Sequence, residues 1–262
     1  MLESSQRKLI LEKDIHKAVD EEQIQIVIQP KISIKDNEKP FGGEVLARWK
    51  HPKYGYISPL EFIELVEHEG LMDKFTDLII RHTENVIKTY NIKNKENIEL
   101  SVNISASSLV TGYINQILIP NKIFGDNDSL VKVELELTEN VLFELNDESK
   151  KFINELKRAG YKIAIDDFGT GFSNFEYLQE LEIDILKIDK RFISKMLEYE
   201  KSELVVNAII KMAHTLGVKV VAEGVETVEQ KNRLKELNCD YIQGYFYGKP
   251  MELDEFLRYI KS

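Results

Sequence analysis

The chain has 262 residues, 43% hydrophobic and 31% charged, with 13 Gly and 6 Pro, a composition that excludes disordered and collagen-like classes. A compact domain of this length removes roughly 75% of its extended-chain surface from water, so neither disulfides nor a structural metal is needed for stability. The formal net charge of −10 repels long polyanions, so DNA and RNA are not expected partners, and a small phosphorylated ligand would need cations between it and the protein's carboxylates.

Residues 1–20 mix Lys, Glu, Asp and His with short apolar runs. They read as a helical segment ahead of one domain over 21–262, with no continuous apolar core of the kind a signal peptide requires. No stretch approaches the ~18 consecutive apolar residues of a membrane span. The expectation is a soluble protein, cytoplasmic in a bacterium. The single cysteine, Cys239, excludes an intrachain disulfide framework, fits a reducing compartment and reads as an inert core thiol.

Short β-rich runs then recur at 23–29, 43–49, 98–103, 131–136, 161–166, 183–188, 218–223 and 241–245. Between most of them lie helix-length segments with apolar residues three and four apart, such as Phe62, Leu65 and Val66, then Phe75, Leu78, Ile79 and Val86. Ser58-Pro59-Leu60-Glu61 supplies a capping hydroxyl, a Pro at the first helical position and a reciprocal Glu, and Thr227 to Gln230 forms a second capping box. Gly70, Gly160 and Gly217 stand where helices need a left-handed residue to end. No linker, low-complexity tract or repeat of fixed identity divides the chain. Strands interleaved with helices over this length predict an α/β fold, a (β/α)8 barrel with functional groups at the carboxyl ends of its strands. An open doubly wound sheet is the runner-up, disfavoured because no Gly-rich nucleotide fingerprint follows the first strand.

In Val131 to Glu139 the period is two, so Val133, Leu135 and Leu137 share one face while Glu134, Glu136 and Thr138 share the other. Alone, that pattern reads as a half-solvated strand. In a parallel barrel both faces are covered, so an inward carboxylate must be paired or bind metal. Glu44, Asn103, Asp166-Asp167, Lys187 and Glu223 stand at other strand ends. Singly, each has a structural reading as an ion pair, turn former or cap. Jointly they would converge on one rim, where two like charges about 4 Å apart repel by roughly 4 kcal/mol at an effective dielectric near 20. Divalent cations are the economical remedy. The donors are oxygens, which select Mg²⁺ or Mn²⁺ over Zn²⁺, with Ca²⁺ less apt for phosphoryl chemistry and expected to inhibit. His16, His51, His68, His82 and His214 lack the paired spacing of a zinc site. Adjacent Asp166 and Asp167 suggest two metals sharing a carboxylate, a geometry suited to in-line phosphodiester hydrolysis. The Phe168-Gly-Thr-Gly-Phe-Ser-Asn-Phe175 segment reads equally as a mobile rim loop or a structural turn.

These residues resemble the EAL-domain family of cyclic di-GMP phosphodiesterases. Glu44-Val45-Leu46-Ala47-Arg48-Trp49 is similar to its name-giving motif, with Val for the usual Ala. The likeness continues through His51-Pro52, Gly55, Pro59, Phe62-Ile63, Glu69-Gly70-Leu71, Asn103, Glu136-Leu-Thr-Glu139, Asp166-Asp-Phe-Gly-Thr-Gly171, Lys187-Ile-Asp189, Glu223-Gly-Val-Glu226 and Gln243-Gly-Tyr245, essentially residues 20 to 260. The resemblance implies a modified TIM-type (β/α)8 barrel with an antiparallel first strand, hydrolysing cyclic di-GMP to linear 5′-pGpG. By motif position it implies metal ligands at Glu44, Asn103, Glu136, Asp166, Asp167 and Glu223. It implies a lysine contacting the nucleophilic water at Lys187, a loop-steadying glutamate at Glu139, and dinucleotide-lining residues at Gln29, Arg48 and Gln243. A homodimer formed through helices near the Asp167 loop is also implied. Ile28-Gln29-Pro30 stands where Tyr-Gln-Pro is usual, and Ser173-Asn174-Phe175 where Ser-Ser-Leu is common; neither removes a ligand. Some relatives bind the dinucleotide without cleaving it or act as protein-binding regulators, which is the alternative reading.

Overall fold

The computed structural model describes residues 2–93, 96–119, 129–169, 178 and 180–261. The loop segment from Thr170 and the Ser173-Asn174-Phe175 departure lie outside the described residues.

Strands β1 (Ile24–Ser33), β2 (Lys39–His51), β3 (Gly55–Ile57), β4 (Ile98–Asn103), β5 (Val131–Thr138), β6 (Lys162–Phe168), β7 (Ile185–Ile188), β8 (Lys219–Glu223) and β9 (Tyr241–Gln243) form one sheet. Its order is β1-β9-β8-β7-β6-β5-β4-β2-β3, and an additional β1–β2 pairing closes the ring. From β2 through β4 to β9 the neighbours are parallel, while β1 is antiparallel to both β2 and β9. This is the modified barrel expected from the sequence. The ninth strand, β3, was not anticipated: it is a three-residue antiparallel partner hanging on the end of β2, outside the ring, and three residues carry too short a pattern to read.

The first strand extends beyond its expected limit at Gln29, running through Pro30 to Ser33. The Ile28 N–H and C=O both bond to Met251, on the side away from β2, and alternation turns residue 30 to that same side. Pairing with β9 begins only at Lys31, so the missing donor of Pro30 interrupts no ladder. The extension brings Lys31 and Ser33 onto the inward face with Gln29.

Helices alternate with the parallel strands and cover the barrel, and the helix Leu2–Asp20 buries Leu11, Ile15 and Ala18 completely. Outward-facing strand residues such as Val133, Leu135, Ile163 and Ile165 join these helices in one continuous core. Inside the ring, Ala164, Ile185 and Val221 make a separate small apolar cluster, and polar groups occupy much of the remainder: Gln29, Lys31, Ser101, Glu134, Glu136, Lys187 and Gln243 are all buried.

The helix ends singled out in the sequence follow local chemistry except at Ser58. Gly70, Gly160 and Gly217 adopt φ of 66°, 95° and 77°, the left-handed conformation expected of helix-terminating glycines. Thr227 and Gln230 form the full reciprocal capping box. At the helix Pro59–His68, however, Ser58 occupies the N-cap position without a side-chain bond, and Glu61 is engaged instead by the Arg7 guanidinium from the N-terminal helix. A long-range, bidentate charged partner outcompetes the local cap.

Candidate metal centre

The acidic residues gather at one mouth, most of them from the carboxyl ends of the parallel strands; Glu44, expected at a strand end, instead lies inside β2, near the end of its parallel pairing with β4. Glu44 arrives from β2, Asn103 from β4, Glu136 from β5, Asp166 and Asp167 from β6, Lys187 from β7 and Glu223 from β8. Carboxylate oxygens of Glu44, Glu136 and Asp166 lie within 4.8 Å of one another, and so do those of Asp166, Asp167 and Glu223. Asp166 belongs to both groups. The Asn103 amide donates to Glu44 Oε1 at 2.9 Å, fixing that carboxylate's orientation.

Consecutive strand residues face opposite sides, so a regular β6 would direct Asp166 and Asp167 apart. The β6–β7 register slips between Ile165 and Phe168, and Asp167 adopts φ 55°. This bulge with a left-handed non-glycine residue turns the backbone so that both carboxylates serve one cluster, the kind of local strain found where function requires it. The Asp167 N–H bonds back to Asp166 Oδ1 at 2.8 Å.

The buried Lys187 ammonium sits among four carboxylates: Glu136 Oε2 at 2.8 Å, Glu223 Oε1 at 2.8 Å, Asp166 Oδ1 at 3.2 Å and Glu44 Oε2 at 3.4 Å. Burial opposes its charge, but Glu136, Glu223, Glu44 and Asp166 outweigh burial and raise its pKa well above the ordinary lysine value. The acids share an unequal fate. Burial, then repulsion from Glu136, raises the Glu44 pKa against the pull of Lys187. Burial lifts Glu223 to about 8 despite Lys187. Burial, Asp166 and a hydrogen bond with Asp189 lift Asp167 to about 6. One lysine therefore does not neutralise the mouth, and the remaining negative charge calls for protons or cations. An all-oxygen donor set of this kind fits hard divalent cations. None of the histidines belongs to either carboxylate group.

Other expected residues surround this cluster. Gln243 donates from Nε2 to Glu44 Oε2 at 2.6 Å and to Gln29 Oε1 at 3.3 Å, so both glutamines join the mouth. Glu139 Oε2 accepts the Gly169 N–H at 2.9 Å, where the chain leaves β6. Arg48 is half-buried and feels the charge of Glu44, but it donates to the Ala47 carbonyl at 2.8 Å and forms no ion pair with Glu44. Lys31 escaped sequence reasoning, and Asp189 entered it only within the Lys187-Ile-Asp189 likeness, with no role. Lys31 crosses the barrel to Glu134 Oε1 at 2.8 Å and Glu136 Oε1 at 3.1 Å. Asp189 shares a hydrogen bond with Asp167 and is itself held by Arg191. The available signal for Lys31 was its place two residues beyond Gln29 on the same strand face, past Pro30 and outside the β-rich run read over 23–29.

The family model for the EAL domain matches residues 12–250. The chain belongs to the EAL-domain family. It is 33% identical over 261 residues to the cyclic di-GMP phosphodiesterase NbdA of Pseudomonas aeruginosa, covering 98% of this chain and 33% of that protein. It is 34% identical over 218 residues to the cyclic di-GMP phosphodiesterase PdeL of Escherichia coli, covering 82% of this chain and 59% of that protein. The chain thus spans only part of the length of these relatives. Among solved structures, the MucR phosphodiesterase in complex with c-di-GMP superposes with a TM-score of 0.85 at 30% identity, covering 94% of this EAL domain and 99% of that chain. The EAL enzyme Bd1971 in its cAMP- and cyclic-di-GMP-bound form gives 0.86 at 30% identity, with 98% and 70% covered. Divalent metal use is general in the family, and among the described residues no helix is long and apolar enough to cross a membrane.

Proposed function

We propose that this EAL domain hydrolyses cyclic di-GMP to linear 5′-pGpG, ending a bacterial second-messenger signal, with two divalent cations, Mg²⁺ or Mn²⁺, as cofactors. The observation that carries this reading is Asp166 as the common member of two oxygen-only carboxylate groups. Cations bound there supply electrophilic charge at the phosphate and make water a stronger nucleophile near neutral pH. Water oxygen joins phosphorus, the P–O3′ bond breaks in line, and the 3′-oxygen leaves as a hydroxyl with its proton.

The chain's own residues divide the remaining work. Glu44, Asn103, Glu136, Asp166, Asp167 and Glu223 hold the cations. Lys187 orients the attacking water; its many carboxylate contacts suit an ammonium that stays charged more than one that accepts a proton. Glu139 anchors the backbone after β6 through Gly169. Gln29, Arg48 and Gln243 line the dinucleotide site, and Arg48, whose one hydrogen bond among the described residues goes to a neighbouring carbonyl, retains donors for a phosphate or base.

The domain also pairs with a second copy in this reading. Support comes from an apolar cleft of about 690 Å³ immediately behind Asp167, between Phe168, Phe192, Val205, Ile209 and Met212.

Incubating purified protein with cyclic di-GMP and Mn²⁺ is expected to yield pGpG on chromatography. Glu44→Ala should lower that rate by more than about 100-fold, since it removes a direct ligand. Wild-type turnover by Glu44→Ala in a magnesium assay rejects the site assignment, and binding of the dinucleotide by wild-type protein without cleavage identifies a receptor instead.

A further inference from the structure

We propose that Lys31 is a positioning residue for the metal centre, a fixed internal cation that locks the Glu136 carboxylate in the orientation presented at the mouth. This rests on the reading of Glu136 as a metal ligand. Lys31 is fully buried. It projects from β1 and meets β5, a strand separated from it around the ring by β2 and β4, so its side chain traverses the barrel interior. There Nζ contacts Glu136 Oε1 at 3.1 Å, while the other oxygen, Oε2, receives Lys187 Nζ at 2.8 Å.

The terminal torsion of a glutamate is broad and roughly two-fold, the softest part of the side chain. Donors on both oxygens remove that freedom. Without Lys31 the carboxylate would keep Lys187 and the neighbouring Ser101 hydroxyl but lose its charged donor on Oε1; with Lys31 beneath it, one oxygen is tied to the barrel interior and the other is kept for the mouth. Glu134 completes the device one layer deeper. Its Oε1 takes Lys31 at 2.8 Å, its Oε2 has no hydrogen-bond partner among the described residues, and it supplies the counter-charge that lets an ammonium reside there.

Stability alone does not account for this pair. A buried ion pair is commonly no better for stability than apolar residues of similar volume, and the same barrel interior uses Ala164, Ile185 and Val221 elsewhere. Ligand carboxylates held by outer hydrogen bonds, by contrast, typically lose about 10–100-fold in metal affinity or activity when those partners are removed.

The test is the charge-balanced double variant Lys31→Met/Glu134→Gln, which leaves the net charge unchanged and removes the donor to Glu136 Oε1. Folding is checked by the cooperativity of the thermal melt, and Mn²⁺ affinity is read from loss of the free-ion EPR signal without substrate. The expected result is a folded protein binding Mn²⁺ about 10-fold more weakly. The equally balanced Lys157→Met/Asp184→Asn pair, removing a 2.6 Å bridge elsewhere, should stay within about twofold of wild type. If the Met–Gln pair gives no cooperative melt, Lys31→Met/Glu134→Leu is read the same way. Mn²⁺ affinity in the folded double variant within twofold of wild type overturns the role of Lys31 alone. Wild-type protein that takes up no Mn²⁺ overturns the metal-centre reading and this inference with it.

Discussion

Asp240 shows how a single buried carboxylate can organise the end of the barrel opposite the metal mouth. It is nearly inaccessible, yet its oxygens accept Lys35 Nζ at 2.7 Å, His214 Nε2 at 2.7 Å and the Val220 N–H at 3.0 Å. Burial opposes its ionisation, but Lys35, His214 and the Val220 amide outweigh burial and lower its pKa. A carboxyl group with a lowered folded-state pKa stabilises the fold fully above its unfolded value of about 3.9, and that contribution disappears as pH falls through the folded value. Asp240→Asn should therefore cost about 2 kcal/mol at pH 7, with the gap beginning to close below about pH 5 and closing further as pH falls past about 3.9 toward the lowered folded value. Urea titrations across that range measure it; a pH-independent difference would assign the loss to packing of the amide. Cys239 is the inert core thiol that a lone cysteine suggested: fully buried, with burial pushing its thiol up to about 12. Lys31 did not announce itself, because a lysine beside a proline reads locally as the exposed end of a strand.

At the scale of elements, two identical-looking signals met different fates. Thr227 accepts the Gln230 N–H at 3.2 Å while Gln230 Oε1 accepts the Thr227 N–H at 3.2 Å, so the box is closed on both sides. Ser58 has the same local grammar but no cap bond, since Glu61 is drawn to Arg7. Thr227→Ala should lower stability by about 1 kcal/mol, whereas Ser58→Ala, at an exposed position, should change it by less than about 0.5 kcal/mol. Equal losses for the two variants in denaturant titrations would refute the structural distinction. The strands teach the same lesson. Their cores were legible from β-rich runs, but the extension of β1 past Pro30 depended on which side of the strand lacks a partner, and the joint aim of Asp166 and Asp167 depended on a slipped register. Neither is written in local periodicity.

For the whole molecule, the exposed Val205 on the helix Glu200–Thr215 borders the apolar cleft behind Asp167. If two copies pair across that face, Val205→Glu places a charge in a desolvated contact, at a cost large enough to shift the equilibrium by about tenfold or more. Sedimentation velocity should show wild-type dimers and variant monomers at the same micromolar concentration; a wild-type monomer would remove the pairing proposal. Such pairing would set the cleft beside the point where the chain leaves β6 at Gly169, linking association to the geometry of Asp167.

The order of strands and helices, the family motifs and the acidic strand ends were readable from the chain alone, because periodicity and local caps are properties of neighbouring residues. Which charges face one another was not. Closure of the barrel by an antiparallel β1 carries Lys31 across to Glu134 and Glu136, and places Lys187 among acids from four other strands. Those contacts join residues far apart in sequence, and their energies come from shared burial, which no local pattern encodes.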